Sequence, residues 1–468
     1  MRRTPGVRHW PAQTSRSYWW TVLWCSAARM GLEPPGQSLS DRQVKARYAV
    51  CLARGARREF SEEAPRPRRN PRLCGLYLEF MAATTAISAR SSTATPSSSV
   101  PWYVWCSVAA VTSAMAGVHW DISWHRSIGR DTFWTPAHLA IHACGVLAGI
   151  ACGYLILATT FSRESPLRSA SVRIWGFRAP LGAFIAAWGG IAMLTSAPFD
   201  NWWHDAYGLD VKILSPPHMV LAAGIAAVEV GALILILGYM NRASEDRRGV
   251  LRALFLYVGG MILVVCMILQ MELTIRVFMH AAFFYRVVAT GVPLILAGVA
   301  RAARYKWAAT AVAGVYSVFV LLIGWILPLF PAEPKLGPVL WPVTQFTPPE
   351  FPLLLIVPAI ALDLLWQRTE RWGAWKQSLA SAAVFLIMFV AVQWPFADFL
   401  NSPLARNWFF GANYFGYNTS PQSLLAQYKF VPQSSFPVWP DAGLAVAISV
   451  LMFRLGRSAG DGLRRIKR

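Results

Sequence analysis

Long runs of predominantly apolar residues recur along most of this chain, near the ~20 residues a helix needs to cross about 30 Å of hydrocarbon. They lie at 102–120, 136–161, 179–198, 216–240, 251–271, 282–300, 307–329, 351–366, 377–396 and 441–456, the eighth and tenth being short. Inside lipid every backbone N–H and C=O must be satisfied internally, so a spanning chain has only helices or a closed barrel available. These runs are long and do not alternate, which selects helix. The expected fold class is therefore all-α: a polytopic transmembrane helical bundle of about ten spans. Composition agrees, since 468 residues with 55% hydrophobic and only 14% charged side chains exclude an ordinary soluble protein.

The formal charge of +21 raises the question of nucleic acid, and its distribution answers it. Residues 1–80 carry 15 basic and 6 acidic side chains. Most other basic residues crowd into every second connection: Arg163, Arg168, Arg173 and Arg178; then Arg242, Arg247, Arg248 and Arg252; then Arg301, Arg304 and Lys306; then Arg368, Arg371 and Lys376; and last Arg464, Arg465, Lys467 and Arg468. The positive-inside rule assigns these connections, and both termini, to the cytoplasm of an inner (plasma) membrane protein. The expected partners are the lipid bilayer and other membrane subunits. No nucleic acid is expected, because no basic cluster is interleaved with aromatics in a foldable soluble segment.

The boundaries follow from these patterns. Residues 1–80 read as a disordered, Arg- and Pro-rich leader, and Met81 is a second candidate for the biological start. A polar lead follows over 81–101, then 102–240 with the chemically interesting helices. The rest of the bundle occupies 241–456, with a long aromatic outer loop at 397–440, and a basic tail closes the chain at 457–468. The seven cysteines, at 25, 51, 74, 106, 144, 152 and 266, form no Cys-x-x-Cys pair and read as apolar filler.

Within 102–240 one pattern is written twice. Asp121-Ile-Ser-Trp-His125 is followed by Gly129, Asp131 and Thr135-Pro-Ala-His138; Asp200-Asn-Trp-Trp-His204 is followed by Gly208, Asp210 and Ser215-Pro-Pro-His218. Each copy is a helix ending in a carboxylate and an imidazole, a short loop, and a second helix opened by Pro and His. The first four spans are thus expected to form a duplicated two-helix unit. Asp121 and His125 are one turn apart, so a helix continuing through them presents both on one face. His138 returns to the same height behind Pro136, and His142 lies one turn deeper. Carboxylate and imidazole without thiolate suit copper, zinc, iron or nickel, and three protein donors leave a coordination position open.

The run Asp121-x-x-Trp124-His125-x-x-x-x-Arg130-Asp131-Thr132-x-x-Thr135-Pro136-x-His138 resembles the metal-site segment of the C subunit of particulate methane and ammonia monooxygenases. In that family an Asp, a His four residues on and a second His thirteen beyond bind copper near the extracytoplasmic face. The resemblance implies a copper ion held by Asp121, His125 and His138, a monooxygenase-like activity, and Arg130 and Asp131 as groups that orient the ligands. By repetition, Asp200, His204 and His218 form a second set, with His142 and Asp210 as additional candidates. Zinc and iron remain alternatives to copper.

Two other classes stand beside this reading. A transporter or metal-handling permease would use the repeated helices and the intramembrane Glu229; a non-catalytic structural or assembly subunit would bond its histidines to its own backbone. Asp363 is expected to pair with Arg368, and Glu272 and His280 are isolated outer-loop groups.

Overall fold

The computed structural model describes residues 99–129, 132–162, 164–165, 167–207, 215–431 and 438–467, all within the unit Thr95–Arg468. The expected leader at 1–80 lies outside them, as do Arg130, Asp131, Gly208 and Asp210.

The described chain is mostly helical. Its helices are α1 (Trp102–Ser127), α2 (Pro136–Phe161), α3 (Leu181–Tyr207), α4 (Pro216–Met240), α5 (Glu245–Leu269), α6 (Ala282–Ala289), α7 (Val292–Ala303), α8 (Ala308–Ile326), α9 (Ile356–Arg368), α10 (Ala374–Leu400) and α11 (Val438–Leu463). A small antiparallel hairpin, β1 (Val172–Ile174) and β2 (Phe177–Ala179), joins α2 to α3. Its two-residue turn, Trp175-Gly176, has positive φ at both positions, as the twist of a tight hairpin requires.

Among the described residues, eight helical segments are long and apolar enough to cross a membrane, α6 and α7 together forming one of them. The expectation of about ten differs at two places. Helix α1 is 26 residues long, but its tryptophans, tyrosine, serines and histidines dilute its hydropathy. Helix α9 has only 13 residues, because Pro348, Pro349 and Pro352 keep the chain before it extended.

A multi-pass membrane protein is also what the surface indicates. On α2 the exposed side chains include Leu139, Val146, Ile150, Tyr154 and Leu157, an outward stripe at helical spacing. On α11 they include Leu444, Leu451 and Leu455. A soluble helix places polar groups there; an apolar exterior needs lipid.

Helix α1 packs on α2, α2 on α3, α3 on α4, and α4 returns against α1. Helix α5 abuts both α4 and α1 and links this group to α7 and α8, while α11 leans on α6, α7 and α10. Lipid offers no hydrophobic drive between helices, so close backbone approach must hold them. Small residues make it possible: a Cβ on Gly189 of α3 would stand 2.6 Å from the Gly224 carbonyl oxygen and 2.7 Å from the Val228 nitrogen of α4. On α1, a Cβ at Gly117 would stand 2.6 Å from the Ile141 nitrogen of α2.

The two ends of the bundle differ in character. The end of α1, the start of α2, the end of α3 and the start of α4 lie together with the aromatic loops around 330–350 and 401–431. The opposite end gathers the Arg- and Lys-rich connections.

Candidate metal centre

Helix α1 does continue through Asp121 and His125, so the two side chains share a face. It stops at a left-handed glycine: the Ile128 and Gly129 nitrogens both donate to the Trp124 carbonyl, at 2.7 and 3.1 Å, and Gly129 has φ +83°. A Cβ at that position would strike the Tyr417 hydroxyl. The end of α1 is pinned from outside as well. Ser123 Oγ donates to the Thr347 carbonyl at 2.6 Å, the Thr347 nitrogen donates to Ser127 Oγ at 2.7 Å, and the Tyr417 nitrogen donates to the Arg126 carbonyl at 2.9 Å. The loops around 330–350 and 401–431 therefore both dock on the end of the helix that carries the site.

Helix α2 opens at Pro136, where a missing N–H costs nothing because the first helical nitrogens have no intrahelical acceptor. Its first turn carries His138, whose Nδ1 lies 3.0 Å from the Thr132 carbonyl oxygen. That bond fixes the ring: with Nδ1 donating to the carbonyl, the neutral imidazole carries its lone pair on Nε2. Nε2 stands 3.1 Å from Asp121 Oδ1, and His125 Nε2 stands 3.8 Å from Asp121 Oδ2. The three donor atoms all lie within 4.8 Å of one another.

The 3.1 and 3.8 Å separations are close to metal geometry, and the full set needs only a small contraction to close on one ion. Two donors each ~2.0–2.1 Å from one ion stand about 3.3 Å apart at a tetrahedral angle and about 4.1 Å apart when opposed. Asp121 Oδ1 is sealed from solvent and accepts no aligned hydrogen bond among the described residues. A lone pair on His138 Nε2 facing a carboxylate oxygen is repulsive unless a proton or a cation lies between them. The donor set therefore fits a transition-metal ion, with the exposed His125 side marking the open approach.

The other expected residues separate into three groups. Asp200 and His218 meet, with Nε2 to Oδ1 at 3.6 Å; His204 lies on α3 one turn past Asp200, and its side chain lies outside the described part. His142 does not join the first donor set. Its ring lies against Phe133, with centroids 5.3 Å apart, and Asp200 is near enough to act on it electrostatically. Arg130, Asp131 and Asp210 lie outside the described residues. Asp363 is a correction: it accepts from the Ala309 and Thr310 nitrogens at 3.2 and 2.8 Å and from Thr310 Oγ1 at 2.7 Å, capping α8 instead of pairing with Arg368. His280 is not isolated, its Nε2 lying 3.5 Å from Asp398 Oδ1.

Thr132, Thr347 and Tyr417 support the site, and the sequence carried little sign of them. Thr132 acts through its backbone carbonyl, which any residue supplies, and the other two approach from more than 200 positions away. Comparison with known proteins finds no matching family model, no matching curated protein and no matching solved structure.

Proposed function

We propose that this protein is a multi-pass membrane subunit that holds a transition-metal ion, copper in the first instance, through Asp121, His125 and His138 beneath the extracytoplasmic face. The observation that carries the reading is the convergence of one carboxylate and two imidazoles within 4.8 Å, with His138 held at Nδ1 by the Thr132 carbonyl so that Nε2 faces Asp121. The resemblance to the C subunit of the copper membrane monooxygenases favours copper over zinc or iron. Copper with an open coordination position supplies oxygen activation. This chain's own residues do the rest. Thr132 orients His138, Asp121 lowers the cost of placing positive charge at the membrane edge, and the two loops that carry Thr347 and Tyr417 limit water at the end of α1. Arg130 and Asp131 are assigned to orienting the ligands. Asp200, His204 and His218 are the second, repeated set, and the basic connections face the cytoplasm of an inner membrane.

The test is metal analysis of the detergent-purified full chain, with electron paramagnetic resonance after loading with Cu²⁺. At least one copper per chain is expected, with a nitrogen-coupled spectrum that Asp121→Ala and His138→Ala both abolish or alter. Wild-type protein that takes up no metal, or the same spectrum in both variants, overturns the reading.

A metal-handling permease is the second reading, favoured by Glu229. This carboxyl sits in the middle of α4, 1% exposed, with neither oxygen hydrogen-bonded among the described residues. Copper uptake into vesicles that Glu229→Gln abolishes, without oxidase activity, would favour it.

A further inference from the structure

A cavity lies among the described residues at the opposite end from the donor set. It encloses about 380 Å³ between the ends of α7, α9, α10 and α11, within the ~300–1,000 Å³ range of small-ligand sites. Its inner wall is apolar, formed by Ala297, Ala300, Trp366 and Phe453, and its mouth carries Arg301, Arg304, Lys306, Arg457 and Arg464.

Few carboxylates answer this charge. Asp363 and Glu370 also line the cavity, but Asp363 is committed to the nitrogens of Ala309 and Thr310. Asp461 is shared, 2.7 Å from Arg301 Nε and 3.9 Å from Arg464 Nη1. Arg457 turns to Gln377 Oε1, a neutral acceptor. Arg304 and Lys306 pair with no carboxylate among the described residues. Burial, then the neighbouring Arg301 and Arg304, push the Arg464 guanidinium below its ordinary value. Like charges held together around an amphipathic cavity are stable only with a counter-anion at hand.

We propose that this cavity binds a phosphate-bearing anion, its phosphate at the Arg304–Lys306–Arg464 mouth and any attached apolar part against Trp366 and Phe453. Guanidinium groups offer phosphate paired donors. A basic pocket between helices on the positively charged side is where an anionic phospholipid headgroup would sit. A soluble phosphate would use the same mouth without the apolar wall.

Native mass spectrometry of the delipidated full chain distinguishes the sources, with cardiolipin, phosphatidylglycerol and phosphatidylcholine as lipid probes and inorganic phosphate as the soluble one. Arg304→Gln and Lys306→Gln are the variants of choice, because neither side chain is hydrogen-bonded or ion-paired to another among the described residues. Retention of the anionic lipids over phosphatidylcholine, falling about fivefold for each charge removed, supports a headgroup site. Phosphate binding lost in the same variants, without preference for lipid, supports a soluble anion. Ala300→Leu should weaken the lipid and spare the phosphate. Anion binding that is absent, or unchanged in both charge variants, overturns the proposal.

Discussion

The helix pairs α1–α2 and α3–α4 make an instructive contrast, because each brings an aspartate at the end of one helix to a histidine in the first turn of the next. In the first pair the contact is 3.1 Å, with His125 beside it; in the second it is 3.6 Å, and the His204 side chain lies outside the described residues. The surroundings differ more than the distances. The end of α1 is clasped by Thr347 and Tyr417, whereas α3 ends in Phe199, Trp202, Trp203 and Tyr207, which pack on one another. Four residues past His138 stands His142, where the position four past His218 is Ala222. Eleven residues past each histidine stand Gly149 and Glu229. Similar aspartate–histidine contacts in unequal housings imply unequal chemistry, since neighbouring groups set ligand orientation and metal affinity.

The contrast can be broken most directly at the carboxylates. If the first pair holds a metal as proposed, Asp121→Ala is expected to weaken its binding by more than the ~10–100-fold typical of an outer partner, as read by competition with a chelator. Asp200→Ala should leave that metal in place. Equal losses in both variants would mean that the pairs form one shared site.

Next in size is packing. Gly189→Leu forces a side chain into the backbone of α4, and Gly117→Leu into that of α2. Each is expected to cost at least ~1–3 kcal/mol, visible as a lower melting temperature in detergent, and only Gly117→Leu should also disturb the first metal.

A smaller effect sharpens the difference in housing. Gly129→Ala strains a left-handed position by about 1 kcal/mol and collides with Tyr417, so it should speed metal release from the first pair alone. Measured dissociation rates that change equally at both pairs would show that the loop does not matter.

The smallest expected change is at Glu229. Its carboxyl is buried without a hydrogen-bond partner among the described residues, so Glu229→Leu should leave stability unchanged or raise it by ~1 kcal/mol, measured by thermal unfolding in detergent. A large loss would reveal a partner for the carboxyl that the fold does not display.

Much of the fold was legible because lipid removes alternatives. An apolar run of span length must be helix, and the runs at 136–161 and 216–240 coincide with α2 and α4 to the residue. Helix α9 was less legible, since apolar content alone does not reveal that prolines hold 348–352 extended. The first donor set could be read from the four-residue spacing of Asp121 and His125 and the Thr-Pro opening before His138. His142 illustrates the limit: periodicity put it one turn from His138, but the ring turned to Phe133.

What the chain's own order of residues determined is therefore its solvent, its helices and which donors stand one turn apart, since these depend on local periodicity and on burial in lipid. Only the tertiary structure decided which carboxylate each histidine meets, that Asp363 caps a distant helix, and that five cations surround one cavity. Those outcomes depend on close approach between segments far apart in sequence, and no local pattern encodes a distance across a bundle.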